Sequence, residues 1–153
     1  MWQIRFKMNK KGVTLLELLV VIIIIGICAV LISPGIGAWI PNYRLRGATR
    51  DVVSTLRTSQ IKAISINTDY RVNFQNSTNY IIEYRDTLGN WVAEGLQQTL
   101  PPGIQFTAFP RIFTFNPNST ASLTGSLILL NTKGSTRTIT LTTATGKINV
   151  SDP

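Results

Sequence analysis

The sequence has no histidine and one cysteine, Cys28, among its 153 residues. These residues therefore form no internal disulfide, and they lack the histidine that Ser–His–Asp sites, Cys–His sites and most zinc sites require. Charged residues make up only 14% of the chain, and its later carboxylates (Asp69, Glu83, Asp86, Glu94) show no pairing typical of acid–base catalysis. We expect a protein that is not an enzyme and that holds no metal and no cofactor.

Acidic residues are scarce: seven stand against 15 basic ones, a net charge of +8. The imbalance is local, because from position 67 onward six basic residues face five acidic ones. The excess lies on either side of an apolar block, at Arg5, Lys7, Lys10 and Lys11 before it and at Arg44, Arg46, Arg50, Arg57 and Lys62 after it. The high net charge is therefore weak evidence for nucleic-acid binding.

The apolar block runs from Val13 to Ile32, twenty residues in which only Thr14 and Glu17 are strongly polar. As a helix it would be about 30 Å long, enough to cross the hydrocarbon of a bilayer. Basic residues precede it, so the N-terminus is expected to stay in the cytoplasm and the bulk of the chain to lie across the membrane. The sequence predicts a single membrane span.

Glu17 needs an explanation, since a carboxylate at the centre of a membrane helix costs about 2.5–3.5 kcal/mol on insertion scales. A plain signal anchor would give it no partner. A secretory signal peptide is a second alternative, with residues 18–32 as its apolar region and cleavage near Gly35, Gly37 or Ala38.

A third interpretation rests on residues 10–21, Lys-Lys-Gly-Val-Thr-Leu-Leu-Glu-Leu-Leu-Val-Val. This stretch resembles the processing motif of type IV pilins and type II secretion pseudopilins. The resemblance implies that a membrane prepilin peptidase cuts after Gly12 and N-methylates Val13, which stands where the family usually has phenylalanine. The leader would be residues 1–12, or a shorter one if translation starts at Met8.

The same resemblance gives Glu17 a role in assembly. Cleavage creates an α-amino group at Val13 that stays charged when methylated, and Glu17 of the same or a neighbouring subunit can pair with it. Gly26 and Pro34 stand at offsets where pilins have a glycine and a proline bounding a helical segment that unwinds in the filament. The alternative is that Pro34 simply ends the span.

The rest of the chain predicts a helix and then strands. Spacings of three and four mark an amphipathic helix from about Asn42 to Ile66, with its packing stripe at Leu45, Ala48, Val52, Leu56, Ser59, Ala63 and Ile66. Eight short alternating runs separated by turn signals follow, at 71–74, 80–84, 91–93, 104–106, 112–115, 127–130, 136–141 and 147–150. We expect an α+β pilin fold, with a leader (1–12), a transmembrane assembly helix (13–34), an amphipathic helix (35–66) and an antiparallel β-sheet or small β-sandwich head (67–153).

Four stretches, at residues 44–64, 100–106, 125–141 and 145–150, are similar in order and spacing to the H-type minor pseudopilins, the GspH/FimT family. This resemblance implies a structural subunit at the tip of a type II secretion pseudopilus or a type IV pilus, anchored in the bacterial inner membrane with its head in the periplasm. Its partners would be other pilins and, beyond them, a secreted substrate. The alternative is a FimT-like DNA receptor that uses Lys133, Arg137 and Lys147. Such receptors resemble one another in a glycine–arginine–any–arginine motif near the C-terminus, and here Asn149 stands where its second arginine would be.

Overall fold

The computed structural model describes residues 12–109, 112–122 and 124–151, except for the side chains at 31–36, 38 and 108. The predicted leader, up to residue 11, and both candidate start sites lie outside these residues. One long helix comes first and nine strands follow it. The chain divides after Gly37 into two compact units.

Helix α1 (Leu15–Ile66) has a sequence signal at each end. The Thr14 hydroxyl accepts a hydrogen bond from the backbone N–H of Glu17 at 3.2 Å, so Thr14 is the N-cap. At the other end Asn67 adopts a left-handed conformation (φ 56°), and the N–H of Thr68 donates to the Ala63 carbonyl at 3.2 Å. This is a Schellman-type C-cap, in which asparagine tolerates the positive φ.

Helix α1 continues without interruption through Gly26, Pro34 and Pro41. The amphipathic part that the sequence predicts from about Asn42 is therefore the second portion of one helix. Among the residues that the structure describes, no helix combines the length and apolarity needed to cross a membrane.

The strands form two antiparallel sheets, which confirms the predicted α+β class. The strands are β1 (Tyr70–Phe74), β2 (Asn79–Arg85), β3 (Trp91–Ala93), β4 (Gln98–Thr99), β5 (Ile104–Ala108), β6 (Ile112–Phe115), β7 (Gly125–Asn131), β8 (Thr136–Thr142) and β9 (Lys147–Ser151). Sheet A has the order β3-β2-β1-β6, with β4 also paired to β2, and sheet B has the order β5-β7-β8-β9. Eight of them coincide with the predicted runs, whereas β4 was not predicted because it has only two residues.

The core lies between the second portion of α1 and the inner faces of the two sheets. Val52, Leu56 and Ala63 of α1 are fully buried, in one cluster with Val72, Phe113, Leu127 and Leu141 among others. The predicted stripe is wrong at one position, because the Ile66 side chain is 58% exposed. Ile66 is the last residue of α1, and more than half of its side chain stays uncovered.

Polar contacts near both ends attach this portion of α1 to the head. Near its start, Asn131 Nδ2 at the end of β7 donates to Asn42 Oδ1 at 2.8 Å. Near its end, Lys62 Nζ donates to Glu94 Oε1 at 2.8 Å, and this bond raises the pKa of Lys62 above its ordinary value. Both contacts fix the register of the helix on the sheets.

Candidate functional site

The bond between Gly12 and Val13 lies just before α1, in a segment with no regular structure. Both residues are exposed, and apart from the chain neighbours no described atom lies within 4 Å of the position that a Cβ on Gly12 would occupy. A protease must approach the backbone closely at the bond it cuts, and a residue without a side chain allows this. The geometry at Gly12 and Val13 is therefore open to a processing enzyme.

Glu17 occupies the first turn of α1, and its side chain is exposed. A carboxylate there interacts favourably with the positive end of the helix dipole. Glu17 forms no ion pair with another described residue. The ion pairs among the described residues are Lys62–Glu94, Arg71–Glu83 and Arg85–Asp69. The sequence reasoning missed the local link to Thr14, although the Thr-x-x-Glu spacing of a capping box was visible.

The side chains around Glu17 form a continuous apolar surface. From Val13 to Val30 the exposed fraction of every large apolar side chain is 45% or more. Gly26 lies within this surface, beside Ile23, Ile27 and Val30. Soluble proteins rarely expose so much contiguous apolar surface unless a membrane or another protein covers it.

The three cations of the predicted nucleic-acid patch do not come together. Lys133 lies in the turn before β8, and Arg137 is near the start of that strand. Lys147 pairs with Thr142 at the other end of β8. Thr142 is five residues after Arg137, so the backbones of Lys147 and Arg137 are about 17 Å apart along the strand. The length of β8 therefore separates Lys147 from the other two cations.

Gly146, next to Lys147, has a packing role that the sequence did not reveal. It is buried with φ +57°, and a Cβ there would lie 2.3 Å from Gln60 Nε2 and 2.4 Å from the Ser119 carbonyl oxygen. Gln60 Nε2 donates to that oxygen at 3.3 Å. The turn before β9 therefore closes onto α1 only because residue 146 has no side chain.

Arg137 lies in a groove instead, together with two arginines of α1. This arginine groove has a volume of about 550 Å³. Its lining includes three arginines and three apolar residues: Arg50, Arg57 and Arg137, with Val53, Ile61 and Val150. A spacing of seven residues places Arg50 and Arg57 on one face of the helix, but adding Arg137 required the strand register of sheet B.

Within the described residues, no group of three or more Cys, Asp and Glu side chains could hold a metal ion.

Comparisons with known proteins point to the same N-terminal segment. Residues 7–33 match the prokaryotic N-terminal methylation motif. No curated protein matches the chain.

The fold is similar to three solved structures. The minor pseudopilin EpsH from the type II secretion system of Vibrio cholerae has a TM-score of 0.61 at 13% identity, covering 72% of this chain and 98% of EpsH. The type IV minor pilin FimU of Pseudomonas aeruginosa has a TM-score of 0.57 at 13% identity, covering 70% of this chain and 92% of FimU. GspH of E. coli has a TM-score of 0.59 at 12% identity, covering 72% of this chain and 89% of GspH. At these identities the likeness establishes the fold; EpsH and FimU are pilin-type subunits and not enzymes.

Proposed function

We propose that this chain is a structural, minor pilin-like subunit that assembles into a type II secretion pseudopilus or a type IV pilus. Two independent observations support the proposal: the methylation motif at residues 7–33 and a fold shared with a minor pseudopilin and a minor pilin. The motif concerns the N-terminal segment and the fold concerns the head, so neither observation depends on the other.

The exposed apolar surface from Val13 to Val30 carries the proposal. Leaving these side chains in water is unfavourable by roughly 25 cal/mol for each Å² of apolar surface that stays exposed. Residues 13–34 lie in the inner membrane before assembly, with the N-terminus in the cytoplasm and the head in the periplasm. In the filament the same surface packs against the equivalent helices of neighbouring subunits.

Prepilin peptidase removes residues 1–12 by cutting after Gly12, and Val13 becomes the methylated first residue of the mature chain. The open backbone around Gly12 supports this assignment. The second portion of the helix, residues 35–66, carries the β-rich head (67–153). In the filament, the segment between Gly26 and Pro34 unwinds, since glycine and proline both weaken a helix there.

Glu17 sets the register of assembly. The mature amine at Val13 is positive, and its natural partner in an apolar bundle is the carboxylate of Glu17 on the same or an adjacent subunit. The position of Glu17 in the first turn supports this pairing, because the carboxylate lies at the helix end where the new amine forms.

The DNA-receptor alternative lacks comparable support, because Lys147 is at the opposite end of β8 from Arg137. The solved structures of similar fold come from both a secretion system and a type IV pilus, so they favour neither machine. Genes adjacent to this one would decide between them: secretion-channel genes favour the pseudopilus, and retraction-ATPase genes favour the pilus.

Glu17→Gln tests the proposal in native membranes. We expect normal cleavage and insertion but reduced crosslinking and co-purification with partner pilins, because the amide leaves the Val13 amine unpaired. Breaking one side of a fully buried ion pair costs about 3–5 kcal/mol.

Asp51→Asn is the matched control, since it removes an exposed carboxylate from the same helix outside the apolar block. This variant should assemble like wild type. Wild-type assembly of Glu17→Gln, with its terminus at Val13 verified by mass, would rule out the register role.

A further inference from the structure

The arginine groove lies where helix α1 fails to cover all of sheet B. Ile139 of β8 is buried against the core, and its cross-strand partner is Val150 of β9. Arg137 is two residues before Ile139 and therefore projects from the same, helix-facing side of the sheet. Val150 is nevertheless 44% exposed, so this margin of the sheet is open.

The helix side of the groove is strongly cationic. Arg50 and Arg57 are both exposed, and they are seven residues apart, which is two turns or about 10 Å along the helix. Among the described residues, no carboxylate lies within ion-pair distance of either guanidinium and no acidic side chain lines the groove. Arg50 and Arg57 can therefore both donate hydrogen bonds to an anionic ligand.

Apolar side chains line the groove beside these arginines, together with the hydroxyl-bearing Thr49, Ser54 and Thr58. Val53 is nearly buried, whereas Ile61 is 61% exposed and faces the same space as Val150. A ligand that fills the groove must therefore combine negative charge with apolar surface. That combination is found in an acidic peptide that carries an aliphatic or aromatic side chain.

We propose that the arginine groove binds an acidic segment of a partner polypeptide, one apolar residue packing on Val53, Ile61 and Val150 while flanking carboxylates pair with Arg50 and Arg57. Arginine favours carboxylates because its planar guanidinium can donate two parallel hydrogen bonds. Single-stranded nucleic acid fits less well, since its binding sites stack bases on aromatic side chains and none of the described residues that line this groove is aromatic. The proposal goes beyond the assembly role and does not depend on it.

The test uses the full chain in detergent micelles and a fluorescein-labelled peptide, Glu-Glu-Leu-Glu-Glu, at low salt. Fluorescence anisotropy should show saturable binding that weakens with added salt. The combined variant Arg50→Gln and Arg57→Gln should weaken binding about tenfold or more, because it removes two charge-assisted contacts.

Arg46→Gln is the matched control: Arg46 is also an exposed arginine of α1, but it does not line the groove, so binding should change less than twofold. Ile61→Ser tests the apolar lining without touching a charge, and we expect about threefold weaker binding. Ile61→Ser still tests the proposal if the double variant does not fold.

Four results would overturn the proposal. The first is equal binding of a Gln-Gln-Leu-Gln-Gln peptide, and the second is equal weakening by Arg46→Gln. The third is tighter binding of a 12-nucleotide single strand that the double variant abolishes, which would assign the groove to nucleic acid. Absence of peptide binding to the wild-type chain would equally refute it.

Discussion

Replacing Gly146 with alanine should destabilise the head more than any other single methyl addition at a turn glycine. The left-handed conformation at residue 146 (φ +57°) costs a non-glycine residue about 1–2 kcal/mol. The added Cβ would also lie 2.4 Å from the Ser119 carbonyl oxygen, a backbone atom that cannot rotate away. Relieving such an overlap in a packed site costs about 1–3 kcal/mol.

The two effects together predict a loss of about 2–5 kcal/mol in the free energy of unfolding of Gly146→Ala. Gln60 must also move, because its Nε2 would lie 2.3 Å from the new Cβ. Its hydrogen bonds to Ser119 should then be lost, which places the expected loss in the upper half of that range. Urea unfolding of the full chain in micelles, followed by circular dichroism of the β-structure, measures the change.

Gly95→Ala separates the two contributions. Gly95 also has a positive φ (+80°), but nothing lies within 4 Å of its Cβ position, so only the conformational cost of about 1–2 kcal/mol applies. Equal losses for the two variants would show that the close approach of Gly146 to Gln60 and Ser119 is not present in solution.

Two further predictions concern the core and a surface turn. Leu56→Ala should destabilise the head by about 2–5 kcal/mol, because Leu56 is fully buried between α1 and the sheets; a loss below about 1 kcal/mol in urea unfolding would contradict that packing. Asp86 Oδ1 accepts hydrogen bonds from the backbone N–H groups of Asn90 (2.7 Å) and Leu88 (2.9 Å), and the first of these chiefly lowers the pKa of Asp86 below its ordinary 3.8. The unfolded chain then takes up this proton at higher pH than the folded chain. The contribution of Asp86 is therefore complete above about pH 5 and is lost as pH falls through 3.8 toward the lower folded pKa. Thermal unfolding between pH 5 and 2 should show a smaller acid-induced loss in Asp86→Asn than in wild type, and identical slopes would refute the assignment.

The sequence predicted those parts of the fold that depend on local patterns. Alternation located eight of the nine strands, and the three–four spacing located the buried stripe from Leu45 to Ala63. It failed at Ile66 because the pattern says which face a residue is on but not whether a sheet extends far enough to cover it. Pro34 was a candidate end of the apolar span, yet α1 continues through it.

The site features were less accessible to sequence reasoning. Gly12, Val13 and Glu17 lie close together in the sequence, so a motif sufficed to identify them as candidates. Arg137 and Gly146 instead matter through residues of α1 that are at least 80 positions away in the chain: Arg50 and Arg57 in the same groove as Arg137, and Gln60 beside Gly146. No local pattern encodes such contacts, because they follow from the register of β8 and β9 on the helix.

The most direct test of the central claim is the N-terminus of the chain isolated from native membranes. Intact mass and N-terminal peptide mapping should find Val13 as the first residue with one added methyl group, and Gly12→Leu should abolish this processing by crowding the peptidase. A mature chain that begins at Ile36 or Ala38 would instead identify a secretory signal peptide. Retention of residues 1–12, or normal maturation of Gly12→Leu, would contradict the assigned cut.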